Sequence, residues 1–330
     1  MSNEMLRWGL ICTARINQSL IPTIRAEERS ALVGVSSRDG ARARRYAENE
    51  GIPQAYEGYE ALLAAPDIDV IYNALPNHLH AEWTIRAADA GKHVLCEKPL
   101  ALTVDEVEAI AAAAERNGVT VFEGFMYRHH PQTLKVQELV RQGAIGEVRA
   151  INAVFSFVLD RAGDVRFDPT MGGGSLWDVG CYPVSFIRSV MGAEPDEVFG
   201  WQTLSDGGVD LTFAGSMCFD EGTLAQFDCS FETAFRWGAE VAGSEGVITL
   251  ESPWKPGAEK PPVIQLEEGE GRQEVPVEDI DPYLCEVRQM ADCVLEGADP
   301  LISLADSRNN VATINALYHS ARTGEPVSIV

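Results

Sequence analysis

The sequence of 330 residues lacks the features of several protein classes. It contains no run of about 18 apolar residues, so we expect no membrane-spanning helix. Its beginning, Met1–Arg7, has no basic segment followed by an apolar core, which predicts that there is no secretory signal. The seven cysteines form neither a CxxC pair nor a metal-ligand cluster. This pattern predicts free thiols in a cytoplasmic protein, without a metal site.

Positive charge is scarce. The 26 Lys and Arg residues stand against 50 Asp and Glu residues, and the formal net charge is −24. A surface of this sign disfavours nucleic acids and anionic membranes as partners. It suits either a salty habitat or a need for solubility, and composition does not decide between them. The length is sufficient for two domains with a sizeable core.

The glycine-rich loop G-x-G-x-x-G is missing as well. A buried strand is predicted at Leu6–Cys12 and a helix follows, which is where a dinucleotide-binding fold has its phosphate loop. Cys12, Ala14 and Asn17 stand at the three glycine positions. An ordinary strand-to-helix turn and a pyrophosphate site at the helix N-terminus explain the segment equally well. The candidate pyrophosphate-binding residues are Thr13, Ala14, Arg15 and Ile16.

Predicted strands alternate with predicted helices over the first 126 residues. The later strands of this series are expected at Ala31–Ser36, Gln54–Tyr56, Val70–Ala74, His93–Cys96 and Val119–Glu123. Alternating β-α segments with apolar strands indicate an α/β fold with a doubly wound parallel sheet, the Rossmann architecture. We therefore predict a dinucleotide-binding domain over residues 1–126.

The end of the second strand indicates which nicotinamide cofactor is used. Ser37 and Arg38 follow the strand, and a hydroxyl beside a guanidinium suits a 2′-phosphate. NADP is therefore the predicted cofactor, with NAD possible because Asp39 can compete for the ribose hydroxyls. Alternatively, Arg38 begins the solvated face of the next helix.

The stretch Gly91–Pro99 carries the first candidate for catalysis. A short apolar strand ends in Glu97-Lys98, and Pro99 blocks helix continuation. Ligands of open α/β sheets bind outside the carboxyl ends of the strands, so Lys98 is well placed for proton transfer. The residues alone leave this interpretation and an ordinary surface turn equally open. Asn77, one strand earlier, is either a helix N-cap or a wall of the nicotinamide–ribose site.

The remainder, residues 127–330, is predicted to be a second α/β domain. Its long strands alternate in polarity, which indicates a large open, mostly antiparallel sheet with one covered face. Ser252–Asp281 is rich in Pro, Glu and Gly and is expected to be a loop-bearing edge rather than core. The strands are expected at Val148–Val158, Val209–Phe219, Thr223–Phe231, Arg236–Gly243 and Val247–Glu251.

A second chemical constellation lies in the run GGGSLWDVGCY, which begins at Gly172. Asp178 and Tyr182 are four residues apart and share one face of an α-helix. A carboxylate can orient a substrate hydroxyl, and a phenol can transfer a proton. Helix capping by Asp178 and packing of Tyr182 beside Trp177 are the structural alternatives.

Three motifs together resemble the Gfo/Idh/MocA oxidoreductases. They are Glu97-Lys98-Pro99, Leu75-Pro76-Asn77 with His80, and the glycine-led run GGGSLWDVGCY. Phe125-Met126-Tyr127-Arg128 and Tyr182 are similar to the branch of dimeric dihydrodiol dehydrogenase and NADP-dependent D-xylose dehydrogenase.

The resemblance implies an NAD(P)-linked reaction on a sugar, polyol or cyclic diol, and a homodimer formed through the open sheet. It implies that Lys98 is the catalytic lysine and that Asp178 and Tyr182 take the family's Asp and His/Tyr positions. The glycine-poor loop and the tyrosine at a position where many relatives have histidine depart from the family pattern. Further cofactor-binding residues implied by the motifs are Leu75, Asn77, His80, Glu97, Lys98 and Arg128.

The predicted function is hydride transfer between the nicotinamide and a hydroxyl carbon of the substrate, with Tyr182 or Lys98 accepting the proton. Two alternatives remain: a redox-neutral lyase that uses the cofactor transiently, and a regulator that binds NAD(P) without catalysis. The residues expected to line the substrate site from the second domain are Phe155, Phe157, Arg161, Arg166 and Phe167.

Overall fold

The computed structural model describes residues 5–161, 163–258, 260–269 and 271–329. These residues form two compact units. The first ends at Met126 and also takes in Tyr283–Arg308, and the second comprises Tyr127–Pro282 together with the residues from Asn309 onward. Part of Met1–Arg7, for which no secretory signal is expected, lies outside the described residues.

The predicted division into residues 1–126 and 127–330 differs from the structure at Tyr283–Arg308, which packs on the first unit. Arg29, between the first helix and the second strand, contributes to this packing. Its Nη1 lies 2.8 Å from an Asp292 oxygen and 2.6 Å from a Glu296 oxygen. Such long-range ion pairs cannot be inferred from the periodicity of either segment. The assignment of substrate binding and dimerisation to the second domain stays a prediction.

The strands agree with the predicted positions within a few residues at most sites. They are β1 (Leu6–Leu10), β2 (Ser30–Ser37), β3 (Gln54–Glu57), β4 (Val70–Asn73), β5 (His93–Glu97), β6 (Val121–Gly124), β7 (Val148–Ser156), β8 (Glu197–Leu204), β9 (Asp210–Cys218), β10 (Leu224–Ser230), β11 (Arg236–Gly243), β12 (Gly246–Leu250), β13 (Val263–Glu268), β14 (Gly271–Pro276) and β15 (Val327–Ser328).

The α-helices are α1 (Asn17–Ala26), α2 (Gly40–Glu50), α3 (Tyr59–Leu63), α4 (His80–Asp89), α5 (Val104–Asn117), α6 (Pro131–Arg141), α7 (Cys181–Met191), α8 (Pro282–Glu296) and α9 (Leu304–Thr323). Short 3₁₀ helices lie at Asn77–Leu79, Met126–His129, Val165–Phe167, Pro169–Met171 and Asp220–Gly222, and a π-helix spans Leu176–Gly180. No helix among the described residues has the length and apolarity needed to cross a membrane.

The first unit contains a parallel sheet with the strand order β3-β2-β1-β4-β5-β6. All four residues of β4 are buried, and so are the central residues of β5. The strands of such a sheet have continuous apolar sequences, because helices cover both faces of the sheet. The structure therefore confirms the predicted Rossmann architecture.

The second unit contains a nine-stranded sheet with the order β14-β13-β12-β11-β7-β10-β9-β8-β15. Its described pairs are antiparallel except β7–β10, which is parallel, so the mostly antiparallel sheet is confirmed. Alternate residues form one buried face, and the row across that face is Val198, Met217, Ala225, Ile151, Val241 and Ile248.

The interpretation of Ser252–Asp281 as an edge without core residues was wrong in part. The segment does lie at one edge of the sheet, but it contains the hairpin β13–β14. It also contains Trp254, which is 1% exposed and donates from Nε1 to the Val154 carbonyl oxygen at 2.8 Å. Composition indicated a loop because Pro and Gly surround this single buried indole.

Candidate functional site

Lys98 lies immediately after β5, at the carboxyl edge of the parallel sheet. Its side chain is half-buried, Pro99 is buried, and the peptide bond between them is cis. The preceding Glu97 accepts a hydrogen bond of 2.5 Å from the hydroxyl of Tyr72, a fully buried residue of β4. Burial and the Glu97 charge raise the pKa of Tyr72 well above its usual value, so this phenol remains a neutral donor. The turn that carries Lys98 is thus held from its N-terminal side.

His80 holds the same turn from its C-terminal side. Its Nδ1 lies 2.7 Å from the Pro99 carbonyl oxygen, and its Nε2 lies 2.6 Å from the Leu75 carbonyl oxygen. Both ring nitrogens of this buried residue therefore contact the main chain, and the predicted cofactor contact of His80 stays a prediction. Its burial lowers the pKa of His80 more than the two carbonyl groups raise it, to about 4. His80 thus holds the backbone of the turn that carries Lys98 and the backbone that follows β4.

Two buried carboxyl groups beside this turn were missed by the sequence analysis. Glu123, on β6, is fully buried and accepts a hydrogen bond of 2.9 Å from the Leu100 amide. Glu286, on α8, is also buried, and its Oε1 would lie 3.5 Å from a Cβ atom at Gly124. Glu123 stands in an apolar run and Glu286 in a helix assigned to the other domain, so neither pattern indicated their place.

The loop after β1 has the donors that a pyrophosphate requires. Asn17, at the third glycine position, ties the loop together by donating from Nδ2 to the Cys12 carbonyl oxygen at 2.7 Å. The helix α1 begins without a side-chain cap. None of the described residues accepts a hydrogen bond from the amides of Thr13, Arg15 or Ile16. The Ala14 amide points to the Cys12 thiol, where it lowers the pKa that burial raises. A glycine-poor loop therefore still presents uncapped amides at a helix N-terminus, the arrangement that binds anions.

The end of β2 carries a pair of arginines beside Tyr59. Arg38 and Arg42 lie close enough to the Tyr59 hydroxyl that their charges oppose the rise of its pKa caused by burial. Asp39 caps α2, since its Oδ1 accepts from the Ala41 amide at 2.8 Å and the Arg42 amide at 3.2 Å. These amides lower the pKa of Asp39, which keeps it ionised as a cap. Arg42 was missed because a first-turn arginine is usually an exposed surface residue.

Ser37 is buried next to this pair, and its Oγ accepts a hydrogen bond of 3.2 Å from the Asp39 amide. The hydroxyl proton of Ser37 remains available for donation to a phosphate. The residues present thus fit an adenosine 2′-phosphate: a hydroxyl and two guanidinium groups at the end of β2.

Asn77 begins the 3₁₀ helix Asn77–Leu79, so it is not the N-cap of α4, which begins only at His80. The sequence predicts a helix from His78 to Ala90, which begins two residues before α4, because the side-chain spacing of a 3₁₀ turn resembles that of an α turn. Leu75, next to it, is buried, and its carbonyl faces His80. The predicted cofactor contacts of Leu75 and Asn77 stay predictions.

In the second unit, close contacts require glycine at two of the three consecutive glycine positions, Gly173 and Gly174. Gly174 has φ +126°, and a Cβ atom there would lie 2.1 Å from Asp210 Oδ1. A Cβ atom at Gly173 would lie 2.5 Å from the Arg166 carbonyl oxygen. The buried Asp210 accepts hydrogen bonds of 2.7 Å from the Ser175 hydroxyl and from the Leu176 amide. The glycine run therefore fixes where the helix with Asp178 begins.

Asp178 lies in the π-helix Leu176–Gly180, whereas Tyr182 lies in α7. The predicted α-helical spacing was wrong at this point, because a π-helix has a wider turn and such turns are frequent at functional sites. Asp178 Oδ2 accepts a hydrogen bond of 2.6 Å from Arg166 Nε. Arg166 Nη1 also contacts the Asp164 carboxylate, at 3.2 Å. Asp178 is thus part of an ion-pair cluster and does not cap a helix.

Tyr182 is 7% exposed and belongs to an aromatic cluster. Its ring lies edge-on to Phe155 at a centroid distance of 5.4 Å and to Trp254 at 6.0 Å. Its carbonyl oxygen accepts a hydrogen bond of 3.3 Å from the Tyr127 hydroxyl. Arg128, predicted to bind the cofactor, donates from Nη1 to the Ser185 hydroxyl at 3.0 Å and so ties the Met126–His129 turn to α7.

The predicted lining residues of the second unit are connected to one another. Phe157 packs at 6.4 Å from Phe155 and at 5.6 Å from Phe231, and Phe167 packs at 6.1 Å from Phe231. Arg161, on the same loop as Arg166, contacts Asp164 at 3.4 Å. Their contact with a substrate stays a prediction.

Two family models match most of the chain. Residues 6–125 match the oxidoreductase family with an NAD-binding Rossmann fold, GFO_IDH_MocA, and residues 133–249 match the GFO/IDH/MocA C-terminal domain. The chain is similar to D-xylose 1-dehydrogenase (NADP(+)) 2 of Haloferax volcanii, with 41% identity over 98% of this chain and 100% of that protein. It is 31% identical to trans-1,2-dihydrobenzene-1,2-diol dehydrogenase of Xenopus laevis, over 93% of this chain and 95% of that protein.

A solved structure has the same architecture. It is a 3-ketoreductase from Actinomadura kijaniata in complex with NADP and TDP-benzene, with a TM-score of 0.90 and 32% identity over 96% of this chain and 98% of that chain. Relatives over nearly the whole length, together with the two domain matches, confirm the resemblance that the three motifs indicated. The chain belongs to the Gfo/Idh/MocA family of oxidoreductases, and its first unit is the NAD-binding Rossmann domain of that family.

Proposed function

We propose that this oxidoreductase is an NADP-dependent dehydrogenase that acts on a hydroxyl carbon of a sugar, polyol or cyclic diol. The observation that carries the proposal is the fixed position of Lys98. Main-chain and carboxyl contacts hold the turn on both sides of it, at the edge of the sheet where ligands of this fold bind. Relatives named for the oxidation of D-xylose and of a dihydrodiol support the substrate class.

The cofactor proposal rests on the residues at the ends of β1 and β2. The uncapped amides of Thr13, Arg15 and Ile16 would hold the pyrophosphate, and Ser37 with Arg38 would hold the 2′-phosphate. The Asp39 carboxylate caps α2, so it is less available to the ribose hydroxyls of NAD. This favours NADP as the cofactor, with NAD as a weaker alternative. The bound nicotinamide supplies the hydride chemistry.

The protein's own contribution is proton transfer and orientation. Lys98 or Tyr182 accepts the hydroxyl proton as the C–H bond of the substrate breaks. Asp178 accepts a hydrogen bond from a second substrate hydroxyl.

The open face of the large sheet supports the predicted homodimer. Trp201, which is 60% exposed, lies on this face next to Phe199 at a centroid distance of 4.3 Å, and the exposed Leu224 belongs to the same face. Exposed large apolar groups on one sheet face are typical of an association surface. Analytical ultracentrifugation of the wild type and of Trp201→Glu tests this proposal. The wild type should sediment as a dimer and the variant should shift toward the monomer, whereas a monomeric wild type contradicts the proposed homodimer. The cytoplasmic location stays a prediction.

The experiment that tests the proposed function is an absorbance assay of reduced nicotinamide. NADP+ and NAD+ are supplied separately with a panel of aldoses, polyols and cyclic diols. The proposal expects reduction of NADP+ by at least one aldose or diol, with a smaller kcat/KM for NAD+. Product formation without net reduction of cofactor would identify a redox-neutral lyase. Cofactor binding without any product would identify a non-catalytic binder.

A further inference from the structure

Arg166 connects two carboxylates of the second unit. Its Nε donates to Asp178 Oδ2 at 2.6 Å, and its Nη1 contacts the Asp164 oxygens at 3.2 and 3.4 Å. The side chain of Asp164 is 5% exposed and that of Asp178 is 13% exposed. The charges of Asp178 and Asp164 raise the pKa of Arg166, so the guanidinium stays charged. We refer to these three residues as the Arg166 cluster.

The main chain of Arg166 is fixed as firmly as its side chain. The Gly174 amide donates to the Arg166 carbonyl oxygen at 3.0 Å, which links the cluster to the glycine run before Asp178. The next residue, Phe167, packs edge-on against Phe231 with the ring centroids 6.1 Å apart. Backbone and guanidinium are therefore both positioned without any ligand.

One nitrogen of this guanidinium, Nη2, lacks an acceptor in the part of the chain that the structure describes. None of the described residues accepts a hydrogen bond from Nη2 of Arg166. The side chain is 38% exposed, so this nitrogen, which carries two N–H donors, can be reached from solvent. A fixed guanidinium with one free nitrogen next to a carboxylate presents a donor and an acceptor side by side.

The charges around Nη2 select against anionic ligands. Two carboxylates lie within ion-pair distance of the single Arg166 guanidinium. Among the described residues, one further cation joins these ion pairs: Arg161, whose exposed side chain contacts Asp164 at 3.4 Å. A phosphate or carboxylate of a substrate would gain little from Arg166 and would be repelled by Asp178. Two neighbouring hydroxyl groups match the arrangement, because a hydroxyl both donates and accepts.

We propose that Arg166 is a specificity-determining residue and that the substrate offers an uncharged vicinal diol to the Arg166 cluster. Arg166 Nη2 donates to the oxygen of one hydroxyl, while Asp178 accepts from the adjacent hydroxyl. The proposal rests on the dehydrogenase function proposed above. It narrows the group bound at this cluster to two adjacent, uncharged hydroxyls and excludes a phosphate or carboxylate at that position of the substrate.

The test compares kcat/KM for an active neutral aldose, its monodeoxy analogues and the corresponding uronate. The enzymes are the wild type, Arg166→Gln, Arg166→Lys and the control Arg116→Gln, which removes an exposed arginine of α5 that is paired with Asp89 at 2.5 Å. We expect the wild type to lose about 10- to 100-fold on one deoxy analogue, the range for hydrogen bonds to a charged group. In Arg166→Gln, kcat/KM for that deoxy analogue should be nearly equal to kcat/KM for the parent sugar. The KM for the parent sugar should be higher than in the wild type.

Arg166→Lys keeps the positive charge but loses the planar guanidinium with its fixed donors. It should therefore retain only part of the wild-type preference for the parent sugar over the deoxy analogue. Arg116→Gln should retain the full preference of the wild type. An equal loss on every substrate in Arg166→Gln would overturn the proposal, since a merely structural role lowers all rates alike. If Arg166→Gln does not fold, the wild-type measurements still test the proposal. A higher kcat/KM for the uronate than for the neutral aldose, or equal kcat/KM values for the aldose and every deoxy analogue, would overturn the proposal. A wild type that reduces no cofactor with any substrate contradicts the proposed function itself.

Discussion

The imidazole of His80 holds the main chain at Pro99, with Nδ1 2.7 Å from the Pro99 carbonyl oxygen. Burial keeps this ring neutral, with its pKa lowered to about 4. Two other buried histidines share the property: burial lowers the pKa of His129 to about 3 and that of His130 to about 4. These three imidazoles therefore resist protonation.

We expect the free energy of unfolding to fall as the pH is lowered from about 7 to about 5. In the unfolded chain each histidine takes up its proton near its ordinary pKa of 6.5, whereas in the folded chain it does so only near 3 to 4. As the pH falls, the unfolded state therefore binds protons before the folded state does. Each histidine lowers the free energy of unfolding by up to about 1.4 kcal/mol per pH unit. Urea unfolding across this range measures the slope.

A variant of His130 isolates the contribution of one of these histidines to the pH dependence of the free energy of unfolding. His130 caps α6 through Nδ1, which accepts from the Gln132 amide at 3.0 Å, and His130→Asn keeps a capping side chain without the titration. This variant should show a shallower slope than the wild type. A free energy of unfolding that is constant or rises toward pH 5 would contradict the assignment of neutral buried histidines.

Lys98→Met tests the proposed proton transfer at the end of β5. The methionine fills a similar volume without an ammonium group, so kcat should fall about 10²- to 10⁴-fold. NADPH binding, measured by fluorescence, should change little, because the phosphate contacts proposed at β1 and β2 remain. Lys135→Met, a half-exposed lysine paired with Glu138 at 3.0 Å, is the control and should be fully active. A folded Lys98→Met enzyme with near-normal kcat refutes the role.

Tyr182→Phe removes only the phenol. The ring contacts with Phe155 and Trp254 are kept, so the thermal midpoint should stay close to that of the wild type. A loss of kcat of about 10²- to 10⁴-fold is expected if the phenol transfers the proton. The control Tyr56→Phe removes a hydroxyl bonded at the surface to Gln54. A mild effect at position 182 would assign proton transfer to Lys98 alone.

Arg38→Ala should change the choice of cofactor. Loss of a charge-assisted contact to the 2′-phosphate predicts a decrease of about 10- to 100-fold in kcat/KM for NADP+, with little change for NAD+. Arg42→Ala should act in the same direction, because both charges reach the Tyr59 hydroxyl. Arg44→Ala, on the exposed face of the same helix, is the matched control. A preference for NAD+ in the wild type, or equal losses for both cofactors, contradicts the NADP assignment.

Local patterns predicted the elements well where one physical signal dominated. The sequence predicts helices at Val104–Asn117, Pro282–Glu296 and Leu304–Thr323, where apolar periodicity and terminal residues coincide, and α5, α8 and α9 have these bounds. The strand β8 was missed, since its exposed Trp201 and Leu204 disturb the expected alternation. Where α8 packs could not be predicted, because this depends on contacts distant in sequence.

The candidate site was predictable in its residue types but not in its connections. The motifs identified Lys98, Asp178 and Tyr182, since strand ends and glycine runs mark such positions. Sequence spacing could not reveal that Arg166 binds Asp178, because the two are joined across a loop and a π-helix. Nor could it show that both nitrogens of His80 contact backbone.

The most direct measurement follows the hydrogen of the substrate carbon. An active neutral sugar carrying deuterium at the reacting carbon is incubated with NADP+, and the reduced cofactor is analysed by mass spectrometry. We predict one deuterium in each NADPH formed and one oxidised sugar for each NADPH. Product without deuterated NADPH, or bound cofactor without product, would contradict hydride transfer from a hydroxyl carbon to NADP.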